Sequence, residues 1–205
     1  MKEFWNDRYK TKDFAYGKSP NVFFKDALNK LNLSGKILLP AEGEGRNAVY
    51  ASKNGLDVLA FDISEEAKTK AMQLAHTEGV KINYRVGELS QLNLKKNSFG
   101  SLALIYAHFP EKVKEKLHKD LADLIKPNGY IILEGFSINN LELRKKNPKI
   151  GGPGDKGMLF SKQEIKETFR DFEIIELDEK LVELSEGNFH NGLASVIRFI
   201  GKKTA

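Results

Sequence analysis

Lys36-Ile-Leu-Leu-Pro-Ala-Glu-Gly-Glu-Gly-Arg-Asn-Ala48 is the stretch that decides the fold of this chain. Ile37, Leu38 and Leu39 form an apolar run that reads as a short buried strand. A glycine-bearing turn follows from Ala41 to Gly45. The apolar spacing of Ala48, Val49 and Ala51 then predicts a helix. Strand, glycine turn and helix make a unit suited to cradling a nucleotide. Glycine lets backbone come close to a ligand, and the helix N-terminus offers unpaired N–H groups. Seventeen residues past Gly45, Asp62 ends the next apolar run, Val58 to Phe61. A carboxylate there is placed to accept hydrogen bonds from two ribose hydroxyls.

Outward from this unit the pattern alternates. Strands are expected at about 36–39, 57–62, 82–86, 101–105 and 130–134. Helices are expected at about 46–54, 64–78 and 111–125, with Ser64 capping the second and Glu65 and Glu66 in its first turn. Ser19-Pro20 reads as N-cap and first residue of an earlier helix carrying Val22, Phe23, Ala27, Leu28 and Leu31. The polar stretch 137–160 contains Gly151-Gly-Pro-Gly154 and reads as a long active-site loop. Ser161-Lys-Gln-Glu164 is a capping-box pattern that restarts a helix. Two strand-like runs, about 172–184 and 194–200, flank Glu186-Gly-Asn-Phe-His-Asn-Gly192. So short a connection makes them antiparallel. The expected fold is α/β: a Rossmann-like, mostly parallel seven-strand sheet with helices on both faces and a reversed strand near the C-terminus. One domain over 1–205 is expected, with residues 1–20 as an N-terminal arm or lid.

Composition narrows the function. The 205 residues are 40% hydrophobic and 30% charged, as in a soluble globular protein, and no apolar run approaches the ~20 residues that cross a bilayer. The first residues include acids and lack an apolar segment, so no signal peptide is expected. The absence of cysteine rules out disulfides, thiolate metal sites and a Cys nucleophile, and suits a cytoplasmic setting. Basic residues outnumber acidic ones by 33 to 28, but they are interspersed. This argues for a lysine-rich surface over a nucleic-acid footprint. No metal site and no membrane association are expected, and the protein is expected as a monomer or dimer.

With these elements in place, the chain resembles class I S-adenosylmethionine-dependent methyltransferases, and within them the small tellurite-resistance and thiopurine methyltransferase-like group. The resemblance is carried by Phe4-Trp-Asn-Asp-Arg-Tyr9, Tyr16-Gly17 with Pro20-Asn21, Ala41 to Asn47, Asp62, Gly87-Glu-Leu89, Ser98-Phe99, His108, Leu124 to Gly129, and Glu186-Gly-x-x-His190. The chain departs from the family in two places. Leu39 and Ala41 stand where the family's Asp-x-Gly-x-Gly-x-Gly loop has its Asp and first Gly, and Phe99-Gly100 replaces a usual Phe-Asp. Glu42 and Glu44 are the nearby carboxylates available in place of the missing Asp.

The resemblance implies S-adenosylmethionine as cofactor and a small-molecule methyl acceptor. It implies that backbone at Ala41, Gly43 and Gly45 meets the methionine portion, with Glu42 and Asn47 beside it. Asp62 bonds the ribose, Ile63 packs on the adenine, and Glu88 and Leu89 meet the adenine edge. Tyr106 and Tyr16 stand near the methyl group. His108 and His190 are the candidate catalytic groups. Trp5, Tyr9, Glu186 and Arg198 are candidate acceptor contacts, and the rings of Trp5, Tyr9 and Tyr16 suit a cationic sulfonium. His76 and His118 are expected on solvent faces of helices.

Two other readings stay open at this point. Gly43-Glu-Gly-Arg-Asn-Ala48 also fits the G-x-G-x-x-A pattern of an NAD(P)-binding oxidoreductase, although no Tyr-x-x-x-Lys pair accompanies it. A non-catalytic protein that keeps the S-adenosylmethionine-binding fold is the second.

Overall fold

The computed structural model describes residues 1–205. Its core is one seven-stranded sheet. The strands are β1 (Lys36–Pro40), β2 (Asp57–Asp62), β3 (Asn83–Val86), β4 (Phe99–Ile105), β5 (Ile125–Phe136), β6 (Phe172–Glu186) and β7 (His190–Lys203). Their order is β3-β2-β1-β4-β5-β7-β6. β1 pairs parallel with β2 and β4, bringing Leu38 beside Leu59 and Leu102. β7 runs antiparallel to both neighbours, as the short C-terminal connection requires. The order reverses between β1 and β4, which makes their carboxyl ends the topological switch point.

Side-chain alternation explains the layers. Ile37 and Leu39 face a core shared with α2 (Val22–Leu31), α3 (Arg46–Lys53) and α4 (Glu65–Thr77). Leu38 faces the opposite core, shared with α5 (Glu111–Asp123) and α7 (Lys162–Thr168). β1 is therefore apolar on both faces, as a central parallel strand must be.

Several local expectations are revised. α2 is capped by Asn21, whose side chain accepts from the Phe24 N–H, and not by Ser19. An Asn satisfies an orphan helix N–H as well as a Ser does, so Pro20 precedes the helix instead of opening it. The arm contains α1 (Lys2–Tyr9), tied to α4 where the Ser64 hydroxyl donates to Asn6 Oδ1 at 2.6 Å. The 137–160 stretch is not structureless. It holds α6 (Asn140–Lys146) and two short 3-10 turns, 148–150 and 156–158. Ser161 does cap α7, but Glu164 leaves the capping box half-formed by pairing with Lys114. β6 and β7 are longer than expected because their pairing continues to Glu186 opposite His190. No helix is long and apolar enough to cross a membrane.

His118 corrects an expectation with an energetic consequence. It is buried, not solvent-facing, among the rings of Phe109, Phe160 and Phe169. Its Nε2 has no hydrogen-bond partner. Burial, with a smaller contribution from Lys114, lowers its pKa to about 3. Above an unfolded pKa of about 6.5 the ring is neutral in both states. Below it the unfolded chain takes up a proton that the native site refuses, so stability falls as the pH drops from about 6.5 toward 3. A His118→Leu variant is expected to melt higher than wild type at pH 5, with the gap shrinking at pH 7.5. Equal gaps at both pH values would contradict this.

Candidate active site

The switch point is open. Ala41, just past β1, and Tyr106, just past β4, both have positive φ, 50° and 52°. Non-glycine residues rarely adopt this conformation, and it concentrates at ligand clamps. A cleft of about 1590 Å³ opens here and continues along α5. Its walls include Trp5, Tyr9, Tyr16, Ala41, Glu42, Gly43, Asn47, Asp62, Ile63, Glu88, Leu89, Tyr106, His108 and His190. Of the residues singled out in the sequence, Gly45, Glu186 and Arg198 do not line it.

The glycine loop is fixed at Gly43. Its N–H donates to Asp62 Oδ2 at 3.1 Å, its carbonyl accepts from the Tyr84 hydroxyl at 2.6 Å, and its φ is +62°. A side chain there would begin 2.7 Å from the Tyr9 hydroxyl. Gly45 has a different duty from the one expected. A Cβ at Gly45 would lie 2.6 Å from the Ala71 Cβ and 2.9 Å from its Cα, so this glycine lets α3 meet α4. Asp62 Oδ1 accepts from the Ser64 N–H at 3.0 Å. Burial raises the Asp62 pKa, and the N–H groups of Ser64 and Gly43 oppose the shift. A carboxylate has about four acceptor sites. With two main-chain bonds made, Asp62 keeps capacity for hydroxyl donors in the cleft.

Glu42 caps α3. Its Oε1 accepts from Asn47 N–H at 2.9 Å and Ala48 N–H at 2.7 Å. Burial nevertheless lifts its pKa to about 7 against those bonds and Arg46. Glu44 is committed elsewhere, to Lys70 at 2.8 Å and to the Ala15 N–H at 2.7 Å, which anchors the arm. Asn47 spends its amide oxygen on the Asn21 N–H at 2.9 Å. Glu88 is exposed and caps the 3-10 turn Leu89–Gln91, so Leu89 is offered to the cleft beside Ile63. Trp5 stacks on Tyr9 with centroids 5.4 Å apart.

The far end of the cleft is built on β4, β5 and the β6–β7 hairpin. His190 sits with its ring 4.5 Å from Tyr16, 4.6 Å from Tyr106 and 5.2 Å from Phe136. Its Nδ1 lies 3.0 Å from Glu186 Oε2. Glu186 is also paired with Arg46 at 2.9 Å. Burial opposes its ionisation, but His190 and Arg46 outweigh burial and hold the carboxyl at about 2. An ionised carboxylate only accepts, so His190 Nδ1 carries the proton. Burial lowers the His190 pKa despite Glu186. At neutral pH its Nε2 therefore keeps a free lone pair.

His108 differs. Its Nδ1 lies 2.8 Å from the Met158 carbonyl and must donate, so its Nε2 accepts from the Phe136 N–H at 3.1 Å. Both nitrogens are spent on main chain, and burial takes its pKa to about 4. His108 staples the 137–160 segment to β5 and has no lone pair for catalysis. Arg198 is also structural. It pairs with buried Glu134 across β5 and β7, away from the cleft. Sequence reasoning misses Arg46, whose guanidinium organises Glu186 and the Tyr16 carbonyl, though it sits inside the quoted motif. It also misses Phe136 and Arg144, which have no local pattern to mark them.

Comparison with known proteins agrees with this geometry. A family described as "Methyltransferase domain" matches residues 37–129. Among curated proteins, the chain is 22% identical over 151 residues to the probable S-adenosyl-L-methionine-dependent methyltransferase TehB of Haemophilus influenzae, covering 73% of this chain and 50% of TehB. The chain thus spans about half the length of the curated relatives it matches. The TehB crystal structure superposes with a TM-score of 0.71 at 19% identity, over 99% of this chain and 67% of that one. A structure described for the conversion of a disulfide bond into a thioacetal group during echinomycin biosynthesis gives a TM-score of 0.77 at 17% identity, over 100% and 92% of the two chains. A Burkholderia thailandensis 1,6-didemethyltoxoflavin N1-methyltransferase, solved with its substrate and S-adenosylhomocysteine, gives 0.62 at 16% identity, over 89% and 76%. With the reversed β7 and the open switch point, the match over residues 37–129 makes this part of the chain similar to a methyltransferase domain, and the chain similar to TehB.

Proposed function

We propose that the chain transfers a methyl group from S-adenosylmethionine to a small-molecule acceptor by in-line displacement. The observation that carries this reading is a cleft of about 1590 Å³ that reaches both ends of the switch point and continues along α5. Pockets for one small ligand occupy about 300–1,000 Å³. This one has room for a cofactor at the Gly43–Asp62 end and an acceptor at the His190 end.

The residues present fit the cofactor. Asp62 has spare acceptor capacity for ribose hydroxyls, and Ile63 and Leu89 offer apolar faces for an adenine. Glu42 stands in for the carboxylate that the family has at Leu39, since Glu44 is already paired. When bound, S-adenosylmethionine supplies an activated sulfonium methyl group. The protein's task is then mostly positioning and exclusion of water, worth several kcal/mol of barrier. Trp5, Tyr9 and Tyr16 from the arm and the 137–160 segment wall the site. Tyr106 holds its ring against His190 through its positive-φ turn.

His190 is the base for acceptors that must lose a proton, with its Nε2 lone pair fixed by Glu186 behind it. A positioned base contributes about 10²–10⁴ in rate. A His190→Ala variant is expected to lose at least 100-fold in kcat on phenol or amine acceptors. On thiolate acceptors, which need no base, it should lose less than tenfold, and S-adenosylhomocysteine affinity should hold within twofold. A labelled-methyl screen across thiols, phenols and amines makes the comparison. Equal losses on all three classes would remove the base role, and no transfer to any small molecule would contradict the reading itself.

A further inference from the structure

We infer that the methyl acceptor is a small organic anion, with its charged group held by Arg144 and its reacting atom near His190. This rests on the small-molecule reading above and narrows it. Most guanidiniums around the cleft already have partners. Arg46 is paired with Glu186, and Arg198 with Glu134. Arg8 donates to the Tyr16 hydroxyl and lies over Phe189. Arg144, in the last turn of α6, lines the cleft and makes no ion pair or hydrogen bond, and its Nε is buried without a partner. Asp155, the carboxylate nearby in the same wall, uses Oδ1 to accept from the Gly157 N–H. The Nη groups of Arg144 also make no hydrogen bond and are not enclosed as Nε is, so they are the donors that a ligand's acceptor atoms can reach. The guanidinium fork is shaped for a carboxylate or another oxyanion.

The Gly151-Gly-Pro-Gly154 segment sets the spacing. A Cβ on Gly151 would lie 2.6 Å from the His190 ring, and a Cβ on Gly154 would lie 3.3 Å from Arg144 Nη1. Bare backbone at Gly151 lets the imidazole close on one end of this strap, and the guanidinium lies against the other end at Gly154. Three residues of chain span at most about 11 Å. Between the ends, Gly152 rests on the Phe136 ring, which packs 4.7 Å from Tyr106. A cation and an imidazole within one small molecule's length, with aromatic rings between them, fit an anion carrying a flat apolar body. A bare inorganic oxyanion would leave the ring walls uncovered.

Calorimetric titration of the full chain with benzoate, benzamide and sulfate tests this, with and without saturating S-adenosylhomocysteine. Benzoate is expected to bind at least tenfold tighter than either of the others. Arg144→Met keeps the packing of the stem and should reduce benzoate to the affinity of benzamide, with S-adenosylhomocysteine binding within twofold of wild type. Arg144→Lys should recover part of the preference, and thermal melting verifies that both variants fold. Equal binding of benzoate and benzamide, or a preference that survives in Arg144→Met, overturns the inference. Sulfate binding as tightly as benzoate overturns the organic body and assigns the site to inorganic oxyanions. A failed methylation screen alongside an intact benzoate preference would count against methyl transfer and not against the anion site.

Discussion

Gly43→Val should abolish binding of S-adenosylhomocysteine, a loss of more than 100-fold by calorimetry, while leaving a folded protein. Three restraints converge on this residue. Its φ of +62° costs a β-branched side chain about 1–3 kcal/mol. Its N–H and carbonyl are both committed, to Asp62 and Tyr84. The new side chain would also meet the Tyr9 hydroxyl at 2.7 Å. The obstruction is the tip of one side chain at the cleft wall, so the collision shifts Tyr9 from its stack on Trp5 and leaves the main chain in place. Gly45→Val makes the contrast. Its obstruction is the Cα and Cβ of Ala71, which cannot swing away, so it should unfold the α3–α4 contact. Unchanged cofactor affinity in Gly43→Val would mean that the loop is not part of the site.

Arg198→Met should be strongly destabilising, although the sequence suggests Arg198 as an acceptor contact. Glu134 is 1% exposed and opposes Arg198 directly in the β5–β7 register. Arg198 Nε donates to its Oε2 at 2.5 Å, and Asn21 Nδ2 donates to its Oε1 at 2.6 Å. Removing one partner of a buried pair leaves the other charge unpaired, at a cost of roughly 3 kcal/mol. For a chain of this length that lowers the melting temperature by roughly 6–12 °C. Methyl-transfer kinetics on the surviving folded fraction should be unchanged. Wild-type stability with a raised KM would instead return Arg198 to the acceptor site.

These two residues also show what the sequence discloses. The strand-turn-helix unit, Asp62 and the reversed β7 are legible because they rest on local spacing: apolar alternation, glycines in a turn, and a connection too short for a crossover. The duties of the individual glycines are not legible. Gly43 and Gly45 look alike in the chain and differ only in whether Tyr9 or Ala71 lies above them. The same holds for the histidines. His108 lies just past β4 and His190 opens β7; the first is consumed by the Met158 carbonyl and the Phe136 N–H, while the second is braced by Glu186. His118 reads as polar in a helix, and only tertiary packing places it among phenylalanine rings. Arg144 belongs to a lysine-arginine run that resembles any solvated helix end, and its role depends on a wall folded from residues 151–154.

On the proposed function, bare main chain after β1 and the carboxylate ending β2 together hold an adenosyl group. A crystal structure of the S-adenosylhomocysteine complex tests it most directly. Both ribose hydroxyls should lie within hydrogen-bond distance of the Asp62 carboxylate, with the amino-acid portion against Gly43 and Glu42. A ribose away from Asp62, or a Tyr9 ring filling the space over Gly43 while the ligand binds elsewhere, would contradict it.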